Sequence, residues 1–211
     1  VTPTPHLSLG LLLTAAAGMI DVVGFIELGG FYTSFMSGNT TQLGAGLALW
    51  GPKMVLPASL IVMFLAGSFV GSLVSSIGHR QGRIGVLAIV ILGLLISLTL
   101  YTNGFTPAQA MLALATAAGA QNAVLPQTGA ARLGTTFVTG TLFAAGQDMA
   151  RAVRGEAPPL RWVQHLLVWL SLLLGAAVGA FAYGQWHIGA LLLPGLIYLA
   201  FMIGYVVKSP K

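Results

Sequence analysis

The sequence predicts an all-α integral membrane protein: six transmembrane helices plus two broken or re-entrant half-helices, arranged as an inverted 3+3 repeat. Three observations predict it. Only 6% of the 211 residues are charged and 56% are apolar, whereas a soluble domain carries about 25% charged residues. So few charges cannot make a water-facing surface, so lipid must cover most of this one. Six apolar runs are long enough to cross a bilayer, and two polar, glycine-containing segments match each other across the two halves of the chain. The chain reads as a single membrane domain, 1–211, with repeat 1 over 7–104 and repeat 2 over 105–208.

The first run, Leu7–Leu28, begins with an outline that a signal peptide shares, Leu7 to Leu13 followed by Thr14-Ala15-Ala16-Ala17. It lacks a basic leading region, and its continuation recurs in the second half, so it is read as a span. The further runs are Met54–Gly78, Ile84–Thr102, Pro107–Leu125, Trp162–Tyr183 and Ile188–Val207. Each approaches the roughly 20 apolar residues that a helix needs to cross a hydrocarbon core of about 30 Å. Thr33–Trp50 and Thr135–Val153 do not. The former opens with T-S-F-M-S-G-N-T-T-Q; the latter opens with T-T-F-V-T-G-T and ends in Gln147, Asp148 and Arg151. Their apolar parts are short, as in re-entrant or interfacial segments.

These two segments align residue for residue, Thr33-Ser34-Phe35-Met36-Ser37-Gly38 on Thr135-Thr136-Phe137-Val138-Thr139-Gly140, with Gly44 on Gly146. Upstream, Ala16-Ala17-Gly18 falls on Ala117-Ala118-Gly119 and Asp21 on Asn122. Downstream, Gly67-x-x-x-Gly71 corresponds to Gly175-x-x-x-Gly179. Four matches in the same order make an internal repeat.

The basic residues orient it. If all eight segments span, with the N-terminus inside, Lys53, Arg151, Arg154, Arg161, Lys208 and Lys211 lie inside and Arg80, Arg83 and Arg132 outside. If only the six long runs span, Lys53 alone is outside. That is the asymmetry the positive-inside rule expects. Each half then contains three spans, an odd number, so the halves are inverted.

The formal charge of +5 comes from nine basic against four acidic residues. That is too sparse for the basic patch that nucleic acid requires. The absence of cysteine excludes disulfides and thiolate metal sites. The four histidines show no metal-ligand spacing, so no metal or cofactor is expected. No nucleophile elbow, P-loop or dinucleotide fingerprint is present, and no enzymatic activity is expected.

Backbone at membrane depth is tolerated only where protein buries it or where it lines a wet cavity. Broken segments from inverted halves commonly meet at a transporter's substrate site near the midplane. Ser37, Gly38, Asn39 and Thr40 in the first half and Thr139, Gly140 and Thr141 in the second are therefore candidate substrate-binding residues. Half-helices starting near Gly38 and Gly140 would turn free N–H groups inward, which favours an anionic solute; freed carbonyls would equally suit a cation. The competing reading is close helix packing by small residues.

Asp21 lies inside the first span, where an ionised carboxylate costs about 3 kcal/mol. It is the candidate proton-coupling residue and a substrate-binding candidate with Gln121 and Asn122, which sit at matching depth. The bland alternative is a structural clasp. Glu27 is read as reaching the interface, Gln127 and Arg132 as the second dip's entry, and Asp148 with Arg151 and Arg154 as a solvated helix end. Gly67/Gly71 and Gly175/Gly179 fit small-x-x-x-small contacts, internal or between subunits, which leaves room for a homo-oligomer.

A-G-M-I-D-V-V-G-F (17–25), S-F-M-S-G-N-T-T-Q-L-G (34–44), G-A-Q-N-A-V (119–124) and T-T-F-V-T-G-T-L (135–142) together resemble the YoaK family of bacterial membrane proteins, also known as the DUF1275 or UPF0700 family. The resemblance covers nearly the whole chain. It implies a bacterial plasma (inner) membrane protein of about six spans and supplies no substrate. The expected function is a membrane transporter, or permease, for a small solute, with an anion moved together with protons as the form that Asp21 and the half-helix starts suggest. The rivals are a channel for a small ion or neutral solute, and a non-transporting scaffold or sensor.

Overall fold

The computed structural model describes residues 4–48, 52–124 and 138–207. Helix is the regular structure of the described residues, with no strand among them. The helices are α1 (Thr4–Glu27), α2 (Met36–Ala48), α3 (Val55–Ser75), α4 (His79–Thr102), α5 (Pro107–Gln121), α6 (Val138–Val153), α7 (Arg161–Trp186) and α8 (Leu192–Val207). Four stretches among them are long and apolar enough to cross a membrane: Leu7–Glu27, Val55–Ser75, His79–Thr102 and Arg161–Val207. Leu125, Gln127, Arg132, the Thr135–Phe137 part of the matched motif, Trp50, Lys208 and Lys211 lie outside the described residues.

Local chemistry sets the boundaries. Gly104, at φ +83°, reverses the chain after α4. Thr106 and Gln109 then form a capping box, with Pro107 in the first helical position. α5 ends at Gln121, short of the apolar run, because Asn122–Val124 turns away. The final stretch of 47 residues is broken by a 3₁₀ turn, His187–Leu191, where His187 takes φ +47°. Pro194 falls in the first turn of α8, where its missing N–H costs nothing.

Two tightly packed helix pairs organise the bundle, α1 on α7 and α3 on α5. A Cβ added to Gly175 or Gly179 would come within 3.0 Å of Ala15 or Met19 backbone atoms, and one added to Gly18 would meet Leu172 and Ala176. In the other pair, Gly67 and Gly71 meet Thr116 and Ala120, and Gly119 meets Phe64 and Ser68. The small-x-x-x-small glycines thus make contacts inside the chain. Around them Leu13, Ile20, Leu60, Leu87, Met111 and Leu114 are fully buried. Outward, α3 exposes Val62, Leu65, Phe69 and Leu73, and α7 exposes Leu170, Leu174 and Phe181. Apolar stripes of this kind suit lipid and not water.

Contacts at the two ends give the helix directions. At one face Glu27, ending α1, accepts a hydrogen bond from Tyr183 near the end of α7 at 2.8 Å, and Tyr101 near the end of α4 meets the same carboxylate. At the other face the Arg80 guanidinium, at the start of α4, donates to the Tyr205 and Val206 carbonyls that end α8. α1, α4 and α7 therefore run from the Arg80 face to the Glu27 face. α8 runs the other way. So does α3, whose Ser75 end packs on Gly82, and so does α5, in parallel register with α3.

Candidate functional site

After α1 ends, residues 28–35 do not leave the bundle; they turn back along the last turns of α1. Gly29 and Gly30, at φ +62° and +109°, make that reversal. Phe25 and Tyr32 rings then pack at 5.1 Å. Thr33 lies against Gly24, where any Cβ would collide with its methyl group. The returning backbone arrives at Asp21. There the Thr33 and Ser34 amides donate to Asp21 Oδ1 at 3.0 and 2.8 Å, and the Thr33 hydroxyl donates at 3.1 Å. Thr33 is fully buried and Ser34 nearly so. Two residues later α2 begins, so its first turn starts beside a carboxylate, the charge that a helix N-terminus favours.

α2 carries two further ties to the same loop. Asn39, fully buried, accepts from Tyr32 N at 3.0 Å and donates to Tyr32 O at 2.7 Å. Gln42 donates to Gly30 O at 2.8 Å. Thr40 and Thr41 return their hydroxyls to Met36 and Ser37 carbonyls in their own helix. Gly38 packs on the Phe35 and Tyr32 rings, and Ser37 and Thr40 are exposed. α2 then leans on the start of α3, with Gly46 against Met54. At 13 residues, or roughly 20 Å of helix, it falls short of the bilayer core.

The second half contributes different groups. Gln121, buried at the end of α5, donates to Leu13 O of α1 at 3.0 Å, and its Oε1 has no partner among the described residues. Asn122 donates to Ala118 O at 3.1 Å. In α6, Thr139 and Gly140 are exposed, while Thr141 is buried and bonds Val138 O at 2.7 Å. Asp21 and Asn39 thus converge on one loop. Gln121 joins α5 to α1, and the Thr139–Thr141 group stands on α6, which packs on α7.

Asp148 differs from its expected place as a solvated helix end. It is 4% exposed. Gly155 turns the chain so that Arg161, at the start of α7, folds back and donates to both Asp148 oxygens, with the Nε bond at 2.7 Å. His165 adds a contact at 3.3 Å and Arg151 one at 3.7 Å, while Arg154 pairs with Glu156. The Arg161 guanidinium is the main reason that the Asp148 carboxyl is lowered to about 2. Because the folded value is depressed, the clasp contributes fully above the ordinary carboxyl value near 3.8 and is lost as pH falls through about 2. Asp148→Asn should speed amide exchange in α6 by roughly an order of magnitude at neutral pH. Corrected for intrinsic rates, the wild-type protein should approach the variant between pH 4 and pH 2, by mass-spectrometric exchange. Equal exchange at neutral pH would show that the clasp does not hold α6.

Three groups escaped the sequence reading: the Thr33 and Ser34 amides, the Gln42 tie and the Arg161 clasp. Backbone donors leave no mark in a sequence. Arg161 did leave one, a basic residue opening a helix 13 positions after an acid.

Residues 9–204 match the family profile described as "Protein of unknown function (DUF1275)". The chain is 31% identical over 177 residues to the UPF0700 transmembrane protein RA0705 of Rhizobium meliloti (strain 1021), covering 82% of this chain and 76% of that protein. It is 26% identical over 149 residues to the UPF0700 transmembrane protein YoaK of Bacillus subtilis (strain 168), covering 66% of this chain and 65% of that one. No solved structure matches.

Proposed function

This chain belongs to the DUF1275 family of transmembrane proteins, and from that premise we propose that it is a small secondary transporter of the inner membrane, built as an inverted repeat of six crossings. The observation that carries the proposal is the return of residues 28–35 to the level of Asp21, followed two residues after Ser34 by the short helix α2. Irregular backbone beside an intramembrane carboxylate is expensive, and transporters use that combination to bind and release solutes.

Helix direction supports the six crossings. α1 and α4 run the same way with α3 opposed, so α2 adds no net crossing; α5 and α7 are opposed, so neither does α6. The repeat is supported by equivalent contacts, since Gly18, Gly67 and Gly71 meet their partners as Gly119, Gly175 and Gly179 meet theirs. In this reading the exposed residues at the starts of α2 and α6 (Ser37 and Thr40; Thr139 and Gly140) face the solute, with Gly38 packed behind them on the Phe35 and Tyr32 rings. Asp21 already occupies the amides ahead of α2, so an anionic group is received at α6 while Asp21 exchanges a proton.

Cysteine labelling tests the topology on a chain without native cysteine. Gln81→Cys and Glu156→Cys should react with an impermeant thiol reagent only after permeabilisation, and Asn103→Cys in intact cells. Labelling of Gln81→Cys from outside sinks the inverted arrangement. Uptake tests the activity: proteoliposomes under an imposed pH gradient should accumulate a small carboxylate or another anion saturably. Non-saturating flux means a channel.

One observation favours a second reading, a non-transporting scaffold or sensor. Asp21 and Asn39 both direct their bonds to the loop, as structural clasps do. That reading predicts no flux for any solute.

A further inference from the structure

We infer that the end of the bundle bearing Arg80 and Arg83 holds an anionic phospholipid, with part of one acyl chain in a groove between α1 and α8 and its phosphate at the two arginines. This goes beyond the transport reading and does not depend on it. The groove has a volume of about 300 Å³ and is lined by Ser8, Leu9 and Leu12 of α1 and by Ala200, Phe201, Gly204 and Tyr205 of α8. It is apolar and opens outward between two helices. α4 closes on α5 through Gly93, whose added Cβ would collide with Ala117, whereas α8 leaves this space against α1. The space suits a length of acyl chain and not a whole lipid, being at the low end of ligand-pocket volumes.

Charge decides which lipid. Tyr205 ends the groove, and the Arg83 guanidinium lies 5.5 Å from its ring centroid. Arg80, one turn earlier, is exposed and reaches the last α8 carbonyls. Neither arginine has a carboxylate within ion-pair distance among the described residues. All four acids of the chain are engaged elsewhere: Asp21 by the returning loop, Glu27 by Tyr183, Asp148 by Arg161 and Glu156 by Arg154. Two guanidinium groups without a carboxylate partner, both held against Tyr205 at the end of an apolar interhelical groove, are complementary to a phosphate on an acyl chain. A zwitterionic lipid would add a cation beside them.

The test uses the full chain, purified in a neutral detergent and titrated with phosphatidylglycerol or phosphatidylcholine, with lipid retention read by native mass spectrometry. Phosphatidylglycerol should be retained roughly 30-fold better, the effect expected of two basic residues near a lipid phosphate. Arg83→Gln should cut that preference about fivefold, leaving the share of Arg80, and Arg83→Lys should keep it, which separates loss of charge from loss of fold. Gly204→Leu fills the groove and leaves both arginines; it should lower phosphatidylglycerol retention by a similar factor. An added Cβ at Gly204 meets nothing within 4 Å, so this variant should fold. Equal retention of the two lipids by the wild-type chain overturns the proposal. So does an unchanged preference in Arg83→Gln, unchanged retention in Gly204→Leu, or displacement of the lipid by inorganic phosphate, which would mark a free-anion site.

Discussion

Gly67→Ala and Gly175→Ala should each leave little folded protein. At both positions the new methyl group would fall on a backbone carbonyl of the partner helix, Thr116 in one pair and Ala15 in the other. Backbone cannot rotate away as a side chain can, so each helix pair must separate along its length. Forcing extra volume into a packed contact costs about 1–3 kcal/mol, and backbone atoms in the way put these two sites at the upper end. In a membrane, close approach through small residues is itself a main source of helix association. Gly44→Ala and Gly146→Ala are the controls, because an added Cβ at either meets nothing within 4 Å. The measurement is the melting temperature and elution profile in detergent. Normal melting of Gly67→Ala and Gly175→Ala would show that these helices do not pack as described.

The second large effect belongs to Asp21. Asp21→Ala leaves three donors around buried Thr33 and Ser34 without their acceptor. At about 1–3 kcal/mol for each unsatisfied group, the returning loop should detach, and exchange of the Thr33 and Ser34 amides should rise roughly 100-fold. Asp21→Asn behaves differently, since its amide oxygen still accepts and only the charge is gone. Loop protection should largely survive in Asp21→Asn while uptake driven by a pH gradient disappears. If Asp21→Asn transports like the wild-type chain, the carboxylate is a clasp and proton coupling is wrong. If both variants keep loop protection, the geometry at Asp21 is not what holds the loop.

The contrast between these residues shows what a sequence discloses. Gly67/Gly71 and Gly175/Gly179 were legible because paired glycines inside apolar runs have few uses other than close approach. Which helix they approach was not, since the facing surfaces are Ala, Thr and Met with no distinctive pattern. Asp21 stood out because a lone acid in an apolar run is costly. Its partners are backbone amides, which every residue but proline carries, so nothing singled out Thr33 and Ser34. The polar run Ser37–Gln42 suggested ligand groups, yet Asn39 and Gln42 bond the loop. Two amides in a short helix look the same in sequence whether they face a solute or a carbonyl. In the sequence the near neighbours of Asp148 are Arg151 and Arg154, but the turn at Gly155 brings Arg161 closer in space than either.

The pairing of α1 with α7 and of α3 with α5 has a consequence for synthesis. Among the described residues, the Gly18 face of α1 packs against α7, whose Gly175 is made more than 150 residues later. At about 5–20 residues per second, that face waits on the order of ten seconds in the membrane before its partner exists. α5, by contrast, emerges after α3 is already in place. The newborn first half is therefore an unfinished object with an exposed seam, open to wrong helices from neighbouring chains. Overexpression should strain this protein at the insertion step before it strains its finished fold, and a chain truncated before α7 should be cleared by proteolysis.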